Sequence, residues 1–241
     1  MQLISLGQAE SHRDLLGNDD AERITDGGDL ERAHAVKYNI CITRVKRMHL
    51  VFIPPTAYRR VPWKNGLGTT LELATDAAEP GGAWTWRLSI ADVPARAAFS
   101  HFPGIDRHLA CLDGAGLELT RDGRTIAVPR EGTAFAFAGE DSIDGAPLGA
   151  GVRDINLMLD RARWRGAMRI VRHARDARAL HGDAILVHAA PGGGDVRVTS
   201  HGETALLCAG HTLVATATVE IQPQQEDCAL VACELQRAAI R

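Results

Sequence analysis

An all-β protein is predicted, on three observations. Short segments alternate apolar and polar side chains, turn signals rich in Gly and Asp separate them, and helix-like patterning is confined to residues 161–166 and 172–180. The 24 glycines in 241 residues supply the turns. Strands of this kind bury one face and hide their edges by pairing sheets or closing them, so antiparallel sandwiches or barrels are expected.

The first 47 residues read differently from the rest. They are charged and small, show no sustained period, and end in Arg44, Lys46 and Arg47 just before Met48. An N-terminal extension over 1–47 is expected, either a disordered tail or translated upstream sequence, with a short helix over 29–38 as the alternative. An apolar segment follows at 49–55. In residues 84–91, Trp84, Trp86, Leu88 and Ile90 share one face and Thr85, Arg87 and Ser89 the other. Segments 117–120 and 125–128 flank Asp122-Gly123, a favoured hairpin turn because both residues tolerate positive φ. Residues 152–158 alternate again, placing Asp154 and Asn156 opposite Ile155 and Leu157. Further strands are expected at 168–171, 184–189, 196–199, 205–208, 212–217 and 228–235. No fixed-period repeat is present, and the strand-rich body divides into halves at about 48–160 and 161–241.

Composition excludes several classes. The chain is 45% hydrophobic and 24% charged, ordinary for a globular protein. A net charge of -3 gives no electrostatic case for nucleic acid. No apolar run approaches the roughly 18 residues of a membrane helix, and no signal peptide is evident, so a cytoplasmic location is expected. Five cysteines, at 41, 111, 208, 228 and 233, form no CxxC pair, which argues for reduced thiols rather than a disulfide framework or a cysteine zinc site.

Four segments could carry chemistry. Residues 62–70, PWKNGLGTT, followed by Glu72, combine glycines with Lys64 and Asn65 and offer an acceptor group side chains and free amides; a tight turn into a strand is the alternative. The strand around Arg87 and Ser89 would place a guanidinium in a cavity if that face lined the inside of a barrel, or in solvent otherwise. The Phe-Pro-Gly turn at 102–104 delivers Asp106 and Arg107 to the next strand, either as a clamp for a small acid or as a turn-stabilising ion pair. Asp154 and Asn156 offer an acceptor and an amide on one face, buried or solvated. No His-x-His is present, so the three imidazoles and carboxylate of a metal-binding cupin are missing, and neither metal nor cofactor is expected.

Together these segments resemble the HutD/Ves family. The motifs are Pro62 to Thr70 with Glu72, the Trp-Arg-Leu-Ser-Ile-Ala of 86–91, the Phe-Ser-x-Phe-Pro-Gly-Ile-Asp-Arg of 99–107, Phe137-Ala138-Gly139, and the Asp-x-Asn-Leu-Met of 154–158. Leu67 departs from the pattern, standing where a third glycine is usual. The resemblance implies a cupin-like (RmlC-like jelly-roll) bicupin, two antiparallel β-barrel halves in one chain. It also implies a role in histidine utilisation, restraining or tuning pathway expression by binding an intermediate such as N-formylglutamate or urocanate, with no catalytic activity attached.

The leading expectation is therefore a non-catalytic binding protein for a small acidic metabolite. Arg107 would hold a carboxylate, with Asp106 beside it; Arg87 or Lys64 would serve a second anionic group, and Asn65, Ser89 and Asn156 would be neutral partners. One alternative is a metal-independent cupin enzyme, an isomerase or hydrolase of a small acid with His101 or His108 as general base. Another is a regulatory interaction module without ligand. A homodimer is expected by analogy with cupins alone.

Overall fold

Period-two alternation of apolar and polar residues organises the chain from Leu50 onward, and in the computed structural model it produces 21 strands, all paired antiparallel, with one 3-10 turn at Pro55–Ala57 among the described residues. The structure describes residues 43–45, 50–63, 68–173 and 176–239, all within the unit Ala35–Arg241. The helix considered over 29–38 and most of the 1–47 extension lie outside the described residues.

Numbered along the chain, the strands form four sheets. The seven-stranded sheet runs β1 (Thr43–Val45), β2 (Leu50–Ile53), β19 (Thr212–Ala215), β16 (Ala184–Ala189), β21 (Ala229–Arg237), β14 (Trp164–Arg172) and β10 (Gly132–Thr133). The six-stranded sheet runs β11 (Phe135–Ala138), β7 (Ile105–Asp113), β13 (Arg153–Asp160), β5 (Trp86–Asp92), β4 (Thr69–Thr75) and β3 (Arg59–Pro62). A four-stranded sheet comprises β6 (Ala97–Ala98), β12 (Asp144–Pro147), β8 (Leu117–Arg121) and β9 (Arg124–Ala127). A second comprises β15 (Arg178–Leu180), β20 (Val219–Pro223), β17 (Val196–Ser200) and β18 (Glu203–Leu207).

Three apolar layers fix the order of these sheets. Leu88, Ile90, Ile155 and Leu157 of the six-stranded sheet pack with Met168, Leu186 and Cys233 of the seven-stranded sheet. Leu109 and Phe137, on the opposite face of the six-stranded sheet, pack with Leu117 and Leu119 of one small sheet. Ile185, Val187 and Leu213 pack with Val196, Val198 and Ile221 of the other. The result is a four-layer stack, in which alternation sends successive residues of each central strand into different cores.

Several expectations need correction. Residues 161–166, and the described residues of 172–180, are not helical: Arg163 N–H donates to Asp160 O at 2.9 Å in a turn, and Trp164, Met168 and Ile170 are then buried in a strand whose Arg165 and Arg169 are exposed. Closely spaced arginines on the solvent side of that strand imitated a helical polar face. Trp84 precedes β5 and does not share the apolar face of Trp86. Strand pairing also begins upstream of Met48, with β1 against β2. The β2 strand joins β19, so the first described strands belong to the sheet built mainly from the C-terminal part. None of the four sheets closes on itself among the described residues. The Asp122-Gly123 hairpin forms as expected, with φ of 52° and 73°. No helix among the described residues is long and apolar enough to cross a membrane.

Candidate functional site

The register of β5, β13 and β7 assembles the site. Ala91, Asp154 and Cys111 are cross-strand partners, as are Ser89, Asn156 and Leu109, and Arg87, Met158 and Arg107. All nine residues project from the face of the six-stranded sheet opposite Leu88, Ile90, Ile155 and Leu157. Bulges on β4 between Glu72 and Ala74, and at Arg153/Asp154 where β13 meets β7, re-aim the side chains at both margins. Between this face and the β6–β12–β8–β9 sheet lies a cavity of about 210 Å³. Arg87, Ser89, Arg107, Asp154 and Asn156 form its polar side, and Trp63, Phe99, Phe102, Ala97 and Gly145 stand among its apolar walls.

Arg107 is only 5% exposed. Its Nη1 donates to Ser100 O at 3.3 Å, while Nε is buried without a partner. Its guanidinium carbon lies 4.9 Å from the Phe99 ring centroid, 5.0 Å from Phe137 and 5.8 Å from Phe102. These rings supply cation–π attraction but accept no hydrogen bond of carboxylate strength. Burial pushes its pKa down to about 10, opposed by the negative charge of Asp154, so it stays charged at neutral pH. Arg87 donates through Nη2 to Met158 Sδ at 3.1 Å, lies 5.1 Å over Trp84, and also has a buried, unpartnered Nε. Burial lowers its pKa too, with Glu72 opposing. Glu72 itself is engaged by Arg59 at 3.1 Å.

Asp154 is the acidic member. It is 2% exposed and its Oδ1 has no hydrogen-bond partner. Burial pushes its pKa up to about 7, against the pull of Arg107. Asn156 Oδ1 is likewise buried and unpartnered. An unmade hydrogen bond at a buried group costs about 1–3 kcal/mol, and here two guanidinium N–H groups and two acceptor oxygens of cavity-lining residues lack a protein partner.

The wall that holds Arg107 is built by tight backbone contacts. Phe102 N–H donates to Gly139 O at 2.8 Å and Gly139 N–H to Ile105 O at 2.7 Å. A Cβ on Gly139 would stand 2.4 Å from Phe102 O, so the Phe-x-Gly motif owes its glycine to this approach. Gly104, at φ 80°, turns the chain into β7. Near the other wall, Trp63 N–H donates to Gly68 O and its indole Nε1 to Thr70 Oγ1, both at 2.9 Å. The Trp63 ring lies against Gly68, where a Cβ would be 3.0 Å from it.

The structure thus brings Arg87, Ser89, Arg107 and Asn156 to one cavity. Asp106 is a correction: it precedes Arg107 on the strand, faces the other way, and binds Arg161 Nε at 2.6 Å. That Arg161 also engages Glu140, so the pair belongs to a surface network. Lys64, Asn65 and Leu67 lie outside the described residues. Neither His101 nor His108 lines the cavity; His108 alternates to the face opposite Arg107 and burial lowers its pKa. Asp154 was recognised as an acceptor but not picked out as a site residue. The aromatic wall and Met158 stand in the motifs at 99–107, 137–139 and 154–158 without being expected in the site, although the Phe-Ser-x-Phe spacing beside Arg107 carries the signal for the wall.

Comparison with known proteins agrees with this site's motifs. The family described as HutD matches residues 55–232, well over half of the chain. An uncharacterised 21.2 kDa protein in the hutC 3' region of Pseudomonas putida is 40% identical over 111 residues, 46% of this chain and 58% of that protein. Protein Ves of Cronobacter sakazakii is 32% identical over 109 residues, 45% of this chain and 59% of that protein. The chain therefore spans a little under three fifths of the length of these curated relatives. The structure of HutD from Pseudomonas fluorescens SBW25 superposes with a TM-score of 0.63 at 26% identity, covering 79% of this chain and all of that one. Bacillus subtilis oxalate decarboxylase, 10% identical with a TM-score of 0.53, shares the fold alone, which is cupin-like. With its family pattern matched from residue 55 to residue 232, the chain belongs to the HutD family.

Proposed function

We propose that this protein is a non-catalytic binding protein for a small acidic metabolite, held in the cavity between β5, β13, β7 and the β6–β12–β8–β9 sheet. One observation carries the reading: Arg87 and Arg107 line one cavity, each with a buried Nε that has no hydrogen-bond partner, and neither pairs with a carboxylate among the described residues. An anion engaging Arg107 through two parallel hydrogen bonds gains about 1.5–3 kcal/mol per contact before desolvation. Arg87 takes a second anionic group, and Ser89 and Asn156 serve as neutral partners. Family membership and a relative named for its place beside hutC favour an intermediate of histidine utilisation, N-formylglutamate or urocanate, with the protein tuning that pathway in the cytoplasm.

In this reading the stack is a bicupin. Residues 48–160 and 161–241 form its two halves, the first lending β2 and β10 to the main sheet of the second, and the ligand sits in the first half. The enzymatic alternative loses its proposed bases, since neither His101 nor His108 reaches the cavity.

The test is a thermal-shift screen of histidine-pathway intermediates. A ligand at a hundredfold excess over its Kd adds about 2.7 kcal/mol, roughly 5–10 °C for a domain of this size. N-formylglutamate or urocanate is expected to give such a shift with wild type and none with Arg107→Met. A shift of equal size in the variant overturns the assignment.

A further inference from the structure

We propose that a carboxylate enters this cavity together with one proton, which comes to rest on Asp154, so that the occupied site holds an acid–carboxylate hydrogen bond beside Arg107. The inference rests on the anion-binding reading above and adds how that site responds to pH.

Asp154 is enclosed, and its Oδ1 has no hydrogen-bond partner. A buried carboxylate in that condition leans on a nearby cation, Arg107 of the same cavity, and to a lesser degree on the Ala91 backbone N–H. A ligand carboxylate seated on Arg107 draws on the same positive charge. Two carboxylates then share one guanidinium in a low dielectric, where both cannot ionise at ordinary cost. One must take a proton from solvent. Asp154 is the one that takes it, because burial already holds its pKa near 7 whereas a free ligand carboxylate titrates near 4. The new O–H on Asp154 donates to the ligand oxygen, no ligand bond breaks, and net charge changes only by the anion and the proton taken up.

The groups facing Asp154 support this assignment. On β7 these are Arg107 and Cys111, the latter's thiol pushed up by burial and therefore neutral. On β5 it is Arg87, while Asp92, paired with Arg153 on the other face, still adds to the upward push through its charge. The opposite sheet contributes Ala97, Ala98 and Gly145, none of which titrates. Every negative charge brought into this enclosure therefore raises the proton affinity of Asp154.

Calorimetric titration of the full chain with N-formyl-L-glutamate, and separately with urocanate, tests this between about pH 6.5 and 8.5, a window in which ligand carboxylates are ionised and both arginines charged. Each pH is measured in HEPES and in Tris, which differ in ionisation enthalpy. In wild type, Kd is expected to rise by a factor approaching tenfold per pH unit above about pH 7, with heats that differ between buffers by up to about one proton taken up per ligand. Asp154→Asn, neutral at every pH, loses both the pH dependence and the buffer difference. Equal heats and a flat Kd in wild type overturn proton uptake while leaving the anion site standing. No binding of either ligand at any pH overturns both. The wild-type titration decides the matter even where the variant fails to fold.

Discussion

Arg87 and Arg107 flank Met158 in register across three adjacent strands, two guanidiniums on one sheet face with a thioether between them. The two charges repel, and that of Arg87 lowers the pKa of Arg107, as burial already does. Such a pair is a cost to the folded protein, one that the anion of the proposed reading would relieve. Binding and folding therefore make opposite demands on the same side chains.

At about pH 6 and below, where Asp154 is protonated and no longer depends on Arg107, Arg107→Met is expected to leave the protein as stable as wild type, or about 1 kcal/mol more stable, because a buried charge whose hydrogen bond goes to Ser100 O is replaced by an apolar chain among Phe99, Phe102 and Phe137. The melting temperature then stays level or rises by roughly 2–4 °C. A fall of more than about 5 °C would show that the guanidinium's contacts with those rings hold the core together.

Two buried groups give stability opposite pH dependences. His188, 1% exposed with Nδ1 on Thr212 Oγ1 at 3.1 Å, has its pKa pushed down to about 4 by burial and by Arg153. The unfolded chain binds that proton first, so stability is lost as pH falls from about 6.5 to 4, by on the order of 3 kcal/mol. Asp154, raised to about 7, holds a proton the unfolded chain has released, so its contribution is lost as pH rises from about 4 to 7. Each is therefore read by difference in urea unfolding. The advantage of His188→Gln over wild type grows toward pH 4, and that of Asp154→Asn grows toward pH 8. Parallel pH profiles of wild type and either variant contradict the corresponding assignment.

Gly139→Ala is expected to cost about 3 kcal/mol or more, since its Cβ meets Phe102 O, a backbone atom with little room to move. The damage falls on the segment that carries Phe102 and leads into Arg107, so ligand response weakens along with the melting temperature. A melting temperature within about 2 °C of wild type would show that the turn yields freely.

Tyr58 joins distant parts of the chain. Its hydroxyl donates to Gly210 O at 2.7 Å and lies 2.7 Å from Thr212 Oγ1, which in turn meets His188. Burial pushes its pKa up to about 12. Tyr58→Phe is expected to lower unfolding free energy by about 1–2 kcal/mol, by chemical denaturation, without changing ligand affinity. An affinity change of tenfold would place this cluster in communication with the cavity.

The sequence made some of this legible and not the rest, for physical reasons. Alternation in 84–91 and 152–158 placed Arg87, Ser89 and Asn156 on one face, because strand geometry obliges every second residue to share a side. It could not say that a second sheet covers that face, since the covering residues, Ala97, Ala98 and Gly145, are small and carry no pattern of their own. The strand expected at 168–171 forms and extends upstream to Trp164, into residues 161–166 whose closely spaced Arg161, Arg163 and Arg165 fit a helical period as well as a turn and a strand's outer face. Asp106 was misassigned through adjacency to Arg107, although neighbours along a strand point to opposite sides. Asp154 appeared equally suited to solvent or interior, and only the packing of the sheets decided between them.

Calorimetric titration of N-formyl-L-glutamate and urocanate into wild type and Arg107→Met tests the central claim most directly. Binding by wild type with a loss of at least about a hundredfold in the variant, the worth of one to two charge-assisted hydrogen bonds, is predicted. Equal affinity in the two proteins would contradict it.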